Sequence, residues 1–342
     1  MKMLTLLIPT ANRPRLLRAA LASVCGQTAL GQIQQIIVSE NGGNRESRTV
    51  CECFPSLPIK YLFNDPPLAP FDHARLLFRA NYDTDYVAIL HDDDSWFPGH
   101  LAAGLAALQQ HPDAVLYACR WIYSTEIYGF ASQGFPRHAL LWLASLGFTQ
   151  DGLVKWNAPQ VLSLCGLVTP IHYSSMIWRR SALSGAVRVF EHDLHFDNDR
   201  AITAAAALEG AVLFNPQPNV LVLEHPGQYT QRESSRVIRE ETAKTSQVIF
   251  NLAAGAGHHL PRLVSDLLEQ CPTWALPNVL AAIWPPIFEA LHAVDTHREL
   301  KEFQVLYRRL QRNRSVGRWI PPVLAEAIHG LRRRNSNKGK HT

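Results

Sequence analysis

An open α/β fold with a mostly parallel sheet is what the sequence predicts, and three observations carry the prediction. Up to residue 125, short apolar runs alternate with segments of helical period. The apolar runs are dominated by Val, Ile and Leu with little polar alternation, the pattern of strands covered on both faces. Beyond residue 230 the pattern turns wholly helical, with breaks at Gly255, Pro261, Pro272, Pro285, Pro286, Pro321 and Pro322, which predicts a helical C-terminal extension.

The elements follow in order. MLTLLI (3–8) reads as the first strand, and PRLLRAALASVCGQ (14–27) as a helix with Leu16, Leu17, Ala20, Leu21 and Val24 on one face. QQIIVS (34–39) is the second strand, so the chain begins strand, helix, strand, the opening of a parallel sheet. IKYLF (59–63), a helix near 71–81, YVAILH (86–91), a helix with Leu101, Leu105 and Leu108 on one face, and AVLYACRWIY (114–123) continue the alternation. In such sheets ligands sit beyond the carboxyl ends of the strands. HYSSMIWRRSAL (172–183) reads as a strand returning to the sheet before a short helix, and LHFDNDRAITAAAALEG (194–210) as a helix preceded by acids. AVLFN (211–215) and NVLVLEH (219–225) read as two more strands. Thr230 and Glu233 have capping-box spacing for a long polar helix starting near 231. The tail RRRNSNKGKHT is expected to be disordered.

Composition bounds the class. The chain has 342 residues, 47% hydrophobic and 18% charged, an ordinary globular balance large enough for a substantial core. Its apolar stretches near 139–148 and 276–288 are too short or too broken by proline to span a bilayer, and the first run reads as a strand with no cleavage site behind it. A cytoplasmic protein is therefore expected. Six cysteines, at 25, 51, 53, 119, 165 and 271, form no CxxC pair, so neither a zinc site nor a disulfide framework is read from them. The net charge of +4 is uneven: residues 301–342 carry +9 and the body −5. That basic segment mixes Arg308, Arg309, Arg312, Arg314 and Arg318 with Phe303, Leu306, Leu310 and Trp319. It reads either as a basic amphipathic helix on an anionic membrane surface or as a solvated helix face. No nucleic-acid recognition motif accompanies it.

AILHDDDSWFP (88–98) sets Asp92, Asp93 and Asp94 at the end of a buried strand. If the strand alternation continues, Asp92 and Asp94 point one way and Asp93 the other, a spacing suited to one hard divalent cation such as Mg²⁺ or Mn²⁺. Helix capping ahead of Pro98 is the plain alternative, but it needs one acid, not three. Left unpaired, the three would repel one another.

Five stretches together, LLIPTANRPRLLRAALASVCGQT, IIVSENGG, YVAILHDDDSWFPGHL, SSMIWRRSAL and FDNDRAITAAAALEGAVLF, resemble the family 2 glycosyltransferases with the GT-A fold, over about residues 3–230. The resemblance implies a GT-A (Rossmann-like) domain at 1–230, with a nucleotide-sugar half to about 98 and an acceptor half at 99–230, followed by the helical region 231–342. It also implies transfer of a sugar from a nucleotide diphosphate donor to a hydroxyl acceptor with inversion, and a Mn²⁺ or Mg²⁺ cofactor. By position, Pro9, Thr10 and Arg13 correspond to the family's segment at the nucleoside, Glu40 and Asn41 to its second-strand acids, and Arg75 to an arginine near the nucleotide. Asp92 and Asp93 fall at the ribose and diphosphate, Asp94, Asp92 and His225 at the metal, and Asp199 at the general base. His225 could equally be structural, and Asp199 could merely complement a helix dipole alongside Asp197.

Each role has a chemical reason: a departing diphosphate needs its growing charge neutralised, and an acceptor hydroxyl needs a base on the opposite face. Ala11 stands where the family commonly has an aromatic for the base, and Glu40-Asn41 where it commonly has DD or DN. A uridine diphosphate sugar is the first expectation for the donor, from the family's habit. Glycan or lipid-linked acceptors would place the protein on the inner face of the plasma membrane. A binding or scaffold protein of the same fold without turnover is the alternative. A nucleotidyltransferase would be expected to carry a glycine-rich loop after the first strand, and PTANRPR has no glycine.

Overall fold

The computed structural model describes residues 3–80, 82–124, 149–166, 169–192, 194, 198–226, 228, 235–260 and 262–263. The first strand, β1 (Leu4–Thr10), is followed by helix α1 (Pro14–Cys25) and strand β2 (Ile33–Asn41). Of the predicted apolar face of α1, Leu17, Ala20, Leu21 and Val24 are buried, and Leu16 is half-buried at its margin. Pro14 suits a helix start because its missing N–H has no helical partner there anyway. Helix α2 (Glu46–Glu52), β3 (Ile59–Asn64), α3 (Pro70–Arg79) and β4 (Tyr86–Ile89) complete the first half. β1 pairs in parallel with both β2 and β4, and β2 with β3.

The second half is mixed. Short β5 (Ser95–Trp96), helix α4 (His100–Gln110), β6 (Ala114–Tyr123), β7 (Val154–Trp156), helix α5 (Ala158–Cys165), β8 (Ile177–Arg179), α6 (Leu183–Val189), α7 (Asn198–Ala207), β9 (Ala211–Val222) and α8 (Ser235–Gly255) follow. The strands form one sheet in the order β3-β2-β1-β4-β8-β6-β9-β5, with β7 alongside β9. β8 is antiparallel to both β4 and β6, while β6 and β9 are parallel. The returning strand read at 172–183 therefore narrows to three residues wedged between β4 and β6, which carries the segment just before it to the end of β4.

Two strands expected at 211–215 and 219–225 are one. β6 runs ten residues beside them, and register shifts near Cys119 and Arg120 absorb Pro216 and Pro218, which lack ladder donors. The capping box at Thr230 and Glu233 lies outside the described residues, as does the basic segment 301–342. Helix α8 sends Val248, Ile249, Phe250 and Ala253 into the core formed by α5, α6 and α7. Buried Arg200 of α7 donates from Nη2 to Ser246 Oγ of α8 at 2.5 Å. Among the described residues, no helix is long and apolar enough to cross a membrane.

Helix α4 packs closely on the sheet through Gly104, where an added Cβ would lie 2.5 Å from Ile177 Cδ1 and 2.8 Å from Tyr117 Cδ1. Gly104→Ala adds helix propensity of about 1 kcal/mol but overpacks two fully buried neighbours at a cost of about 1–3 kcal/mol. A net loss of about 1 kcal/mol in urea unfolding is expected; a gain would show that the helix shifts freely.

Candidate active site

The carboxyl ends of β1, β2 and β4 meet at one edge, where β1 and β2 pair through Thr10 and Glu40. β4 ends at Ile89, and His91–Asp94 is a turn in which the Asp94 N–H donates to His91 O at 3.1 Å. The strand alternation expected for the three acids therefore stops before them. Asp92 and Asp93 instead converge on Arg13, and Asp94 turns away.

Arg13 grips Asp92 with two nitrogens: Nε donates to Oδ2 at 3.0 Å and Nη2 lies 2.6 Å from Oδ1. Its Nη1 donates to Asp93 Oδ2 at 2.9 Å, and Thr10 Oγ1 donates to Asp92 Oδ2 at 2.6 Å. His225 Nε2 lies 3.2 Å from Asp93 Oδ2. The chain thus supplies a cation of its own, Arg13, to the first two acids. Burial still pushes Asp92 up to about 6, with Arg13 pulling the other way. Burial also raises Asp93, but His91, Arg13 and His225 beside it outweigh that and hold it below the ordinary carboxylate value.

Asp94 has different company. Ser174 Oγ donates to its Oδ2 at 2.5 Å and the Leu223 N–H to its Oδ1 at 3.3 Å, while His172 Nδ1 stands 3.6 Å from Oδ2. Burial, then repulsion from Asp93, raises Asp94 well above its ordinary value. Among the described residues, one set of three or more His, Cys, Asp and Glu side chains has ligand atoms close enough for a metal ion: His91, Asp94 and His172, all within 4.8 Å of one another.

The other expected residues divide. Pro9 is half-buried in β1 beside Ser39. Glu40 is fully buried, accepting from Ser47 Oγ at 2.7 Å and from the Tyr61 hydroxyl, so both its oxygens serve the protein interior. Asn41 holds the following loop by two 2.8 Å bonds to Leu68, one to its carbonyl and one from its N–H. Gly42 and Gly43 then turn with φ of 73° and 95°, where a side chain would strike Pro67 or Asn12. Ala11 is exposed at the same edge. Arg75 forms an exposed pair with Asp72 one helical turn away, at 2.7 Å, and is not drawn into the acid cluster.

Asp199 lies in the first turn of α7, its Oδ1 accepting from the Arg200 N–H at 2.9 Å. Its charge reaches Tyr123 and Tyr173: burial raises both hydroxyls first, and Asp199 adds to each, with Asp94 adding at Tyr123. Asp199 and Asp94 therefore both lie near enough to Tyr123 for their charges to act on its hydroxyl. Asp197 lies outside the described residues.

The sequence reading passed over His172, Ser174, Tyr173 and Tyr123. The His-x-Ser beside the returning strand was the available signal, legible only once that strand is known to pair with β4.

Four histidines are held below their ordinary value: by burial, His73 to about 4 and His100 to about 3, with His91 lowered chiefly by burial and His172 by burial and then by His91. A histidine depressed in the fold contributes stability above pH 6.5 that is lost as pH falls towards its folded value. Asp92 and Asp94, raised, act oppositely, their contribution being lost as pH rises through the folded value. Four outweigh two, so the melting temperature is expected to fall from pH 7 to pH 5. A rise over that interval would show that the acids dominate.

Residues 5–169 match the family model described as Glycosyl transferase family 2. Over those residues the chain is similar to glycosyl transferase family 2. No curated protein sequence matches this transferase significantly. Among solved structures, TarS 1–349 of S. aureus in complex with UDP-GlcNAc is similar, with a TM-score of 0.56, 12% identity, and 87% of the transferase and 92% of that chain covered. TarS 1–349 in complex with UDP gives a TM-score of 0.53 at 13% identity, covering 87% and 91%. The likeness establishes the GT-A fold of the transferase.

Proposed function

We propose that the transferase moves a sugar, with inversion, from a nucleotide diphosphate donor to a hydroxyl acceptor, in surface polysaccharide or glycolipid assembly. The observation that carries this is the convergence of Thr10, Arg13, Asp92, Asp93 and His225 at the carboxyl end of the parallel strands, with Asp94 next in the chain and Asp199 near enough to act on Tyr123, as Asp94 does. A diphosphate bound at this edge would meet Arg13, already oriented by two carboxylates. The acceptor oxygen attacks the anomeric carbon as the bond to the diphosphate oxygen breaks, and Asp199 takes the hydroxyl proton.

The residues fit a divalent cation, Mn²⁺ or Mg²⁺. Asp94 is a buried carboxylate whose hydrogen-bond donors, Ser174 and the Leu223 N–H, are neutral, so it is the acid that would hold one. A cation there supplies charge neutralisation to the leaving diphosphate. The TarS structures hold UDP-GlcNAc and UDP, which supports a UDP-sugar as donor. Glu40, engaged inside with Ser47 and Tyr61, and the exposed Ala11 favour a base contact unlike the family's usual one, and they keep a second reading in view, a nucleotide-sugar-binding protein without turnover. A glycan or lipid-linked acceptor, with the basic segment 301–342 against the inner face of an anionic membrane, completes the proposal.

A thermal-shift series with UDP, GDP and their sugars, with and without Mn²⁺, tests the donor site. At a concentration 100 times Kd a ligand adds about 2.7 kcal/mol of apparent stability, a shift of several degrees. UDP with Mn²⁺ is expected to give the largest shift. No shift with any nucleotide overturns the proposal, and a shift without transfer to any acceptor favours the second reading.

A further inference from the structure

Asp94 and His172 meet in a way that neither a hydrogen bond nor an ion pair explains. The Ser174 N–H donates to His172 Nδ1 at 3.3 Å, so that nitrogen carries a lone pair and no proton. The same nitrogen faces Asp94 Oδ2 at 3.6 Å, a second lone-pair atom. Two acceptors that face each other at this distance repel unless a proton on the raised Asp94 carboxyl or a cation lies between them. The His91 ring stands edge-on to the His172 ring at 5.7 Å, and its ligand nitrogen falls within the same 4.8 Å set.

We propose that His91, Asp94 and His172 form a nitrogen-rich site that binds Mn²⁺, Co²⁺ or Zn²⁺ in preference to Mg²⁺. Two imidazoles and one carboxylate are the donors of transition metals and zinc, whereas Mg²⁺ takes oxygen ligands. Bonds of about 2.1 Å set donor atoms roughly 3–4 Å apart, so the set closes by about 1 Å on binding. Ser174 touches all three residues: its Oγ donates to the Asp94 carboxylate and accepts from the His91 backbone N–H at 3.0 Å, and its own N–H donates to the His172 ring. Trp121 covers His172 with ring centroids 5.8 Å apart, and Tyr173 lies 5.4 Å from the His91 ring, so the site is walled by aromatics. His225, the histidine that family resemblance had pointed to, belongs to Asp93 and stands outside this set.

The test uses the full chain stripped of metal, with no donor present, so it stands or falls separately from the transfer reading. Co²⁺ titration followed by visible absorption, and calorimetry with Co²⁺ and with Mg²⁺, are measured on the wild type and on His91→Gln, His172→Gln and His225→Gln. One Co²⁺ per chain is expected, with affinity about tenfold or more weaker in His91→Gln and His172→Gln, unchanged in His225→Gln, and Mg²⁺ affinity little altered. Loss of Co²⁺ binding in His225→Gln alone would overturn the site in favour of the Asp93–His225 pair. Wild-type affinity in both His91→Gln and His172→Gln would overturn it outright. Should those variants misfold, electron spin-echo spectra of Mn²⁺ on the wild type decide: coupling to two imidazole nitrogens supports the site, and none removes it.

Discussion

Asp199→Asn is expected to slow transfer by about 10²–10⁴-fold while leaving nucleotide diphosphate binding within twofold, because removing a positioned base acts on the reacting hydroxyl and not on the donor. The separation follows from the fold. Arg13 with Thr10 and the first two acids gathers at the ends of β1 and β4, whereas Asp199 sits in the first turn of α7 and is no part of that hydrogen-bonded group. Asn keeps the size and the oxygen that accepts from the Arg200 N–H, so a folding defect is not expected. Initial rates of transfer, with thermal shift by UDP as the binding control, check it. Turnover within threefold of wild type would remove Asp199 from the base role and leave it a complement to the helix dipole.

Arg13→Met should cost about 3 kcal/mol in urea unfolding at pH 7.5, the lower end of what breaking a buried ion pair costs, because Arg13 is itself 31% exposed while Asp92 is fully buried. The loss is expected to shrink at pH 5. Asp92 already rises to about 6 with Arg13 present. Without Arg13 it rises further, so at pH 5 it is neutral and needs no countercharge, and the stability lost at high pH returns as pH falls. Adding Asp92→Asn should restore part of the loss at pH 7.5. A deficit independent of pH would show that Arg13 acts through packing and not charge.

Much of the parallel half was legible in sequence. Leu17, Ala20, Leu21 and Val24, then Leu101, Leu105 and Leu108, repeat at helical spacing and are all buried where predicted. The apolar runs LLI in β1, IIV in β2 and YVAI in β4 are continuous because both faces of the sheet are covered there, which marks them as strands. The mixed half was less legible. A three-residue strand such as β8 carries too little pattern to show its partners, and β9 spans Pro216 and Pro218 only because β6 offers ten residues to pair with.

The site divides in the same way. That acids, Arg13, Thr10 and His225 lie at one edge is readable from their places just after β1, β4 and β9, since parallel strands deliver their carboxyl ends to one edge. Which acid meets which partner is not. The switch from strand to turn at Leu90 sends Asp92 and Asp93 to Arg13 and Asp94 to Ser174, a partner 80 residues away. Glu40 and Asn41 hold their own loop and strand, contacts that periodicity does not encode.

The sequence by itself determined the strand and helix alternation, the edge at which chemistry sits and the residue types present, because burial and strand direction are written in local pattern. Only the tertiary structure decided that the ligand atoms of His91, Asp94 and His172 come within 4.8 Å of one another. The antiparallel insertion of β8 beside β4 brings them together, and long-range pairing of that kind leaves no mark on the residues between.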